Sequence, residues 1–515
     1  MRLSLSPKSD KEVPVERAIR IRALVVLLAA GVATYLALAA GGAASGRAPA
    51  LPMPQPLING ATQISTSTTP PTQAQCISAG RRCFDPQGIA TAYNLAPLYA
   101  QGLNGAGETI AIVDSFGSDT IANDLHVFDQ AYGLQPMCGE ADVTCAPGMP
   151  TFSQLALQGS PATKANGNAK GSPGQENRTA WSLEVSLDVE RAHAVAPGAN
   201  ILLVTTPTAE TLGLQGLPQM MAAEDYVVKN HLANVITQSF GAAEQSFAST
   251  KSLLNLRGAF EDAAANGVTV LASAGDGGSA NPIKTPVAKG GSLIPFPTVI
   301  WPASDPLVTS VGGTFLCTDP SAPTRVVDNA DPPKQCQAAS AAGQAETVWN
   351  QGNAATGGGF SSVFAEPSYQ SAVSSNGARG VPDVGLNAAP GTGVTIYDTL
   401  PPNGSSGLIC GSAPCSTGWF AIGGTSASSP QWAGIVAIAD QANGGTPLGD
   451  INPALYKVAS NPTEDANDFF DVTVGNNQVN SAIAGFSAGT GWDPTTGLGT
   501  PNAANLVPDL IAASH

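Results

Sequence analysis

Short apolar runs alternate with stretches of helical period through the middle of the chain. Gly107 to Asp114 (GETIAIVD) is apolar almost throughout and predicts a buried strand, and Thr120 to Tyr132 predicts a helix. The same alternation predicts a helix over Trp181 to Ala194, a strand over Ala199 to Thr205, a helix over Gln219 to His231 and a strand over Ala233 to Ser239. A helix over Lys251 to Asn266, a strand over Val268 to Ala274 and a strand near Val308 follow, and a helical run spans Gln431 to Asn443. Strands that alternate with helices imply an α/β domain whose central sheet is mainly parallel and covered by helices on both faces. No internal repeat interrupts this order. Three stretches rich in Gly, Ser and Pro, 138–178, 317–358 and 400–418, predict surface insertions.

The N-terminal region follows a different pattern. Arg17, Arg20 and Arg22 precede an apolar run from Ala23 to Ala40, and small residues fill Gly41 to Gly46. This predicts a secretory signal or, because the run is long enough to span a bilayer, an uncleaved anchor with its Arg-rich end in the cytoplasm. Residues 1–46 are therefore expected to be a signal peptide or membrane anchor, 47–85 a Pro/Ser/Thr-rich linker, and 86–515 the folded domain. The expected location is outside the cytoplasm, secreted or anchored to the outer face of the cytoplasmic membrane. Eight cysteines fall into four close couples: Cys76 with Cys83, Cys138 with Cys145, Cys317 with Cys336 and Cys410 with Cys415. In an exported chain these predict local disulfides bracketing loops, and none has the CxxC spacing of a zinc site. A formal net charge of −16 and a sequence pI near 4.5 argue against nucleic acid as a partner. Only 12% of residues are charged, which is compatible with an acidic working environment.

The sharpest chemical motif is Gly424-Thr425-Ser426-Ala427-Ser428-Ser429-Pro430 at the head of a helical run. A serine there lies near unpaired N–H groups and the positive end of the helix dipole, which favour developing negative charge. Ser or Thr before a helix is more often a simple N-cap, and the longer pattern with its proline is what favours a nucleophile. The base is not an obvious histidine. The chain holds only His126, His193, His231 and His515, none in the HGTH context of a subtilisin-like enzyme. His193 and His231 lie late in predicted helices, where a structural role is expected. Asp114, in VDS after the first strand, resembles the subtilisin aspartate but lacks a histidine to serve. Carboxylates can replace the histidine. Glu184 and Asp188 stand four residues apart, so a helix places both on one face, where mutual repulsion favours sharing one proton. Such a pair keeps a usable base at a pH where histidine is protonated. Glu190 and Arg191 are expected to be solvated surface residues.

Taken together, Glu184 with Asp188, SAGDGG containing Asp276, and GGTSASSP containing Ser426 occur in the order found in sedolisins, the serine-carboxyl peptidases. The resemblance extends through GETIAIVD, AHAVAPGANI from Ala192, WPASDPLVTSVGGT from Trp301, GGGFS from Gly357 and RGVPDVGLNA from Arg379, over roughly residues 91 to 505. It implies an enlarged subtilisin-like α/β domain, with Ser426 as nucleophile, Glu184 as its base, Asp188 orienting Glu184, and Asp276 as a protonated donor in the oxyanion hole. Asp471-Val472 and Gly489-Thr-Gly491-Trp-Asp493 resemble the sedolisin calcium loop, which implies one structural Ca²⁺ held by the carboxylates of Asp471 and Asp493 and the carbonyls of Val472, Gly489 and Gly491.

The chain departs from the family pattern in three places. About fifty residues separate the apolar run from the first family block, where sedolisins carry a propeptide of well over a hundred. Gln238-Ser-Phe-Gly241 replaces a Ser-x-Ser-Trp-Gly-like strand lining the substrate cleft, and Gly277-Gly278 replaces a serine-containing turn. The function implied is an exported serine-type endopeptidase acting at acidic pH through an acyl-enzyme, on protein or peptide substrates and as a monomer. The competing reading is a catalytically idle, calcium-stabilised extracellular binding protein on the same fold.

Overall fold

Each apolar run of the middle region becomes a strand whose residues alternate between two cores. In the computed structural model the described residues are 55–56, 59–157, 173–207, 216–283, 292–328, 333–400, 409–410 and 413–515. In chain order the strands that matter for the site are β1 (Gln55–Pro56), β2 (Asn59–Ser65), β3 (Thr109–Ser115), β4 (Phe152–Ala156), β5 (Asn200–Thr206), β6 (Val235–Gln238), β7 (Phe240–Ala243) and β8 (Thr269–Ser273). They continue as β9 (Ile300–Trp301), β10 (Thr309–Leu316), β11 (Glu346–Val348), β12 (Val384–Asn387), β13 (Val394–Asp398) and β14 (Gly418–Gly423). The main sheet has eight strands in the order β11-β10-β8-β6-β3-β5-β4, with β12 also beside β10. All of its neighbours pair in parallel except β10 with β11.

Both faces are covered, as the alternation predicts. On β3, Ile110 and Ile112 enter one core and Ala111 and Val113 the other. The first core is filled by α2 (Pro173–Val195) and α5 (Thr425–Ala442), the second by α3 (Leu217–Lys229) and α4 (Gly258–Ala265); α1 (Ile121–Tyr132) packs beside α2.

Several expectations change. The predicted helix Lys251 to Asn266 is two helices, Thr250–Leu254 and α4, broken over Asn255 to Arg257 ahead of Gly258, a poor helix former. Two stretches read as surface insertions supply the edges of the main sheet, β4 from within 138–178 and β11 from within 317–358. Part of the region read as a linker is also ordered: β2 pairs with β14, β1 pairs with β7, and Gln73–Ser78 is a helix capped by Thr72. The apolar run Ala23 to Ala40 lies outside the described residues. Among the described residues no helix is long and apolar enough to cross a membrane. Three of the predicted disulfides form, Cys76–Cys83, Cys138–Cys145 and Cys317–Cys336. Cys415 is also disulfide-bonded, while the side chain of Cys410 lies outside the described residues.

Candidate active site

Two helices and the carboxyl ends of three strands converge on one point. Every residue of α2 from Leu183 onward is buried, so Glu184 and Asp188 face the interior one turn apart. α5 packs directly on α2, and a Cβ on Gly434 would come within 2.8 Å of the Val195 side chain. Only a glycine allows the two helix backbones this close approach. At its start α5 is capped by Gly424 in an extended turn with φ +115°, which glycine adopts without the penalty a Cβ would bring. Ser426 therefore sits inside the first turn of the helix, which begins ahead of the predicted run at Gln431.

Ser426 and both carboxyls of α2 are fully buried. Burial raises the Glu184 pKa well above the usual range, and the negative charge of Asp114 adds to it; the hydroxyls of Ser426 and Ser239 oppose the shift, while Asp276 reinforces it. Neither Glu184 oxygen has a well-formed hydrogen bond, so the nearby hydroxyls act on it at looser geometry, as catalytic contacts often do without substrate. Asp188 is raised for the same reasons, first burial, then Asp114 and Glu184. Its Oδ1 accepts from the Ser239 hydroxyl at 3.1 Å.

Asp276 reaches the cluster from the loop after β8. Its Oδ1 accepts from the Thr425 backbone N–H at 2.8 Å and from the Thr425 hydroxyl at 3.0 Å, and the same hydroxyl accepts from Gly275 N–H at 3.0 Å. Its Oδ2 is buried with no partner. Burial pushes the Asp276 pKa up to about 7, and the two bonds from Thr425 only partly offset that. Oδ2 is therefore the oxygen available to carry a proton and donate it.

Four residues read as candidates, Ser426, Glu184, Asp188 and Asp276, are thus brought together. Three others were undervalued. Asp114, set aside for want of a histidine, is a third buried carboxyl acting on both Glu184 and Asp188, and burial raises it to about 8. Ser239 was read only as part of the cleft strand, and Thr425 only as part of the GTS motif. For Thr425 the signal is its place beside Ser426 in the motif; nothing local in the sequence marks Ser239. Glu190 and Arg191, expected on the surface, are fully buried. Glu190 accepts from Tyr397 N–H at 3.0 Å, and Arg191 faces the Thr395 carbonyl and Gln431. An isolated reading of α2 could not see this, because β13 and α5 cover these residues only in the folded chain. His193 lies 3.1 Å from Asp129 and His126 lies 3.2 Å from Glu140, structural pairings away from Ser426. None of the ion pairs among described residues involves Asp114, Glu184, Asp188 or Asp276.

The C-terminal acidic loop also closes on itself. Asp471 Oδ2 accepts from Gly491 N–H at 2.9 Å and Asp493 Oδ2 from Gly489 N–H at 3.0 Å. Burial and then the Asp493 charge raise Asp471 to about 6, and its buried Oδ1 has no partner. A buried and a half-buried carboxyl side by side, with one orphaned oxygen, fit a hard cation. Among the described residues no group of three or more His, Cys, Asp or Glu is placed to hold a metal, so the remaining donors would have to be main-chain oxygens.

Known proteins resemble this chain over most of its length. Residues 162–481 match the Subtilase family. Kumamolisin of Bacillus sp. (strain MN-32) is 31% identical over 452 residues, which cover 86% of this chain and 66% of that protein. Sedolisin of Pseudomonas sp. (strain 101) is 31% identical over 409 residues, 78% of this chain and 57% of that protein. The chain thus spans less than two thirds of the length of these curated relatives. The solved structure of Pseudomonas sedolisin, a serine-carboxyl proteinase complexed with two molecules of pseudo-iodotyrostatin, superposes with a TM-score of 0.60 at 29% identity, covering 83% of this chain and 98% of that one.

The buried acids make a prediction about stability. A carboxyl whose pKa is higher folded than unfolded stabilises the fold fully below its unfolded value of about 4, and that contribution is lost as pH rises through the folded value. Asp276 at about 7, and Asp114 and Asp398 at about 8, all act in this direction. One such shift of about three pH units is worth roughly 4 kcal/mol. Melting measured at fixed ionic strength and without metal should show a Tm lower by on the order of 5 °C at about pH 8 than at about pH 4.5. A Tm that is flat or rises over that interval would contradict the assignment of these groups as buried and neutral.

Proposed function

The chain belongs to the subtilase family, in its sedolisin branch, and on that premise we propose that it is an exported serine-carboxyl peptidase hydrolysing peptide bonds of proteins under acidic conditions. The observation that carries the reading is the convergence of Ser426, Glu184, Asp188 and the half-buried Asp276 in one cluster that no histidine enters. A catalytically idle binding protein has no use for that set.

Each group has a defined task. Ser426 Oγ attacks the peptide carbonyl carbon while Glu184, as carboxylate, takes its proton. Asp188, held by Ser239, orients Glu184 and shares its proton load. Asp276, protonated below about 7, donates from Oδ2 to the oxygen that becomes negative, with the Ser426 N–H as the second donor. As the C–N bond breaks, Glu184 returns the proton to the leaving amine, and water activated by Glu184 then hydrolyses the acyl-enzyme. The requirement for acid follows, because an ionised Asp276 would repel the oxyanion.

Two further observations support the reading. β1 runs antiparallel along β7, with Gln55 opposite Gly241 and Pro56 opposite Phe240, directly beside Ser239. An extended main chain thus pairs with this side of β7, in the mode by which a strand recognises peptides of varied sequence. The disulfides Cys76–Cys83, Cys138–Cys145 and Cys317–Cys336 suit an oxidising compartment and hence export.

Asp471 and Asp493, with the main-chain oxygens of Val472, Gly489 and Gly491, would hold one calcium ion. When bound, the ion neutralises the facing carboxylates and pins the C-terminal loop. It takes no part in the chemistry at Ser426.

Digestion of casein or a peptide library should give a bell-shaped pH–rate profile centred below neutrality, with Ser426→Ala inactive yet folded. Asp276→Ala should lose about 100- to 1000-fold in turnover. Asp276→Asn keeps a donor that does not titrate, so its activity should persist further into the alkaline limb than the parent's. A profile peaking near neutrality, or activity surviving in Ser426→Ala, would refute the mechanism. Chelation should lower Tm, and Asp493→Ala should reproduce most of that loss. A melting curve indifferent to chelator would remove calcium from the account.

A further inference from the structure

The loop that carries Asp276 is held on two sides. Thr425 binds the carboxyl, as described above. On the other side the segment 355–358 pairs with the main chain: Ala355 N–H donates to the Asp276 carbonyl at 3.1 Å, Gly278 N–H to the Ala355 carbonyl at 2.9 Å, and Gly357 N–H to the Gly275 carbonyl at 2.6 Å. Neither segment is part of the main sheet. Their placement depends on what backs them, and that is the loop running from Gly475 to Ala488, next to the acidic C-terminal loop.

Asn477 is the centre of that backing. It is completely buried. Its Oδ1 accepts from Phe486 N–H at 2.8 Å and its Nδ2 donates to the Gly358 carbonyl at 3.3 Å. The two partners fix the amide orientation, since one can only donate and the other only accept. Its main chain closes the loop through Asn477 N–H to the Phe486 carbonyl at 3.0 Å. Its carbonyl oxygen lies against Gly278, where a Cβ would come within 2.1 Å of it. Gly278 also has φ +58°, so the Gly277-Gly278 departure from the family turn has a physical reason: only a chain without a side chain there admits the 475–488 loop. Ser279, also buried, donates from its hydroxyl to the Ala484 carbonyl at 2.8 Å and ties the same two segments a second time.

From this geometry we infer that Asn477 is a positioning residue for the oxyanion-hole aspartate, clamping Gly358 and Gly278 so that the Asp276 loop keeps the place Thr425 gives it. The inference rests on the proposed serine-carboxyl mechanism and extends it to a residue that touches neither substrate nor nucleophile. Asn477 acts through main chain alone. Losing it should therefore misplace the Asp276 donor in the transition state without changing how the substrate's remote parts are held. A misplacement of about 1 Å is enough to cost on the order of 100-fold in turnover.

The test compares the parent with Asn477→Ala and Asn477→Asp in steady-state kinetics across pH, with Tm and near-UV circular dichroism of each. Asn477→Ala should lower kcat by roughly 10- to 100-fold with KM little changed. Asn477→Asp keeps the acceptor for Phe486 and can donate to Gly358 only while protonated. It should approach parent activity in acid and lose activity at a lower pH than the parent does. Adding Asp276→Ala should largely absorb the effect of Asn477→Ala, because the donor being positioned is then absent. The inference fails if folded Asn477→Ala keeps the parent's kcat, if Asn477→Asp follows the parent's pH profile, or if the Asn477 and Asp276 losses multiply. It also fails if the kcat loss only tracks the fraction folded. Parent protein without activity at any pH would instead refute the proposed mechanism, so the two failures are distinguishable.

Discussion

The site depends on gathering carboxyls in a largely buried place where, among the described residues, no ion pair neutralises them. Asp114, Glu184 and Asp188 are fully buried, and Asp276 is half-buried with its free Oδ2 buried, at the carboxyl ends of β3 and β8 and along α2; the charges of Asp114 and Asp276 raise the cost of ionising Glu184, and those of Asp114 and Glu184 the cost of ionising Asp188. Burial alone pushes each upward, and like-charge repulsion spreads the titrations apart. One arrangement thus supplies opposite needs. In the proposed mechanism the protonated Asp276 serves as donor, and the Glu184/Asp188 pair, sharing one proton, supplies the base. A histidine or arginine in the same space would collapse the difference by stabilising every carboxylate at once.

That gathering is achieved by close packing of helices. α2 and α5 approach at Gly434 and Val195, which brings Ser426 to the face of α2 that carries Glu184 and Asp188. The face of α2 turned away from them is also polar, with Glu190 and His193 buried, and Arg191, one turn beyond Asp188 on the same face, is buried as well. A helix so polar on both faces has little preference of its own for an interior position. Its placement is enforced by partners distant in sequence: Tyr397 N–H for Glu190, Asp129 for His193, and Ser239 for Asp188.

Those distant partners explain which features were legible in the sequence. The alternation of strands and helices and the pairings Cys76–Cys83, Cys138–Cys145 and Cys317–Cys336 depend on residues near one another along the chain and are borne out, while the i, i+4 spacing of Glu184 and Asp188 and the Ser426 motif are local signals that the fold brings to one place. Properties created by tertiary cover were not legible. Arg191 and Glu190 look like an exposed polar step until β13 lies over them, and β4 and β11 look like loop because each sits inside a Gly- and Ser-rich stretch. Asp114 carries no local mark distinguishing a carboxyl near another carboxyl from one without a partner. The Gly277-Gly278 turn reads as a departure from pattern until the Asn477 carbonyl is seen against it.

The central claim is that burial holds Asp276 neutral at a pH where an ordinary aspartate is fully ionised. Infrared difference spectroscopy detects the carbonyl stretch of a protonated carboxyl directly, without substrate or turnover. At about pH 6, two units above a free aspartate's range, the parent should show protonated-carboxyl absorption that shrinks in Asp276→Asn and disappears, for that component, as pH rises through about 7. A parent spectrum at about pH 6 identical to that of Asp276→Asn would contradict the account, because Asp276 would then be ionised and unable to donate.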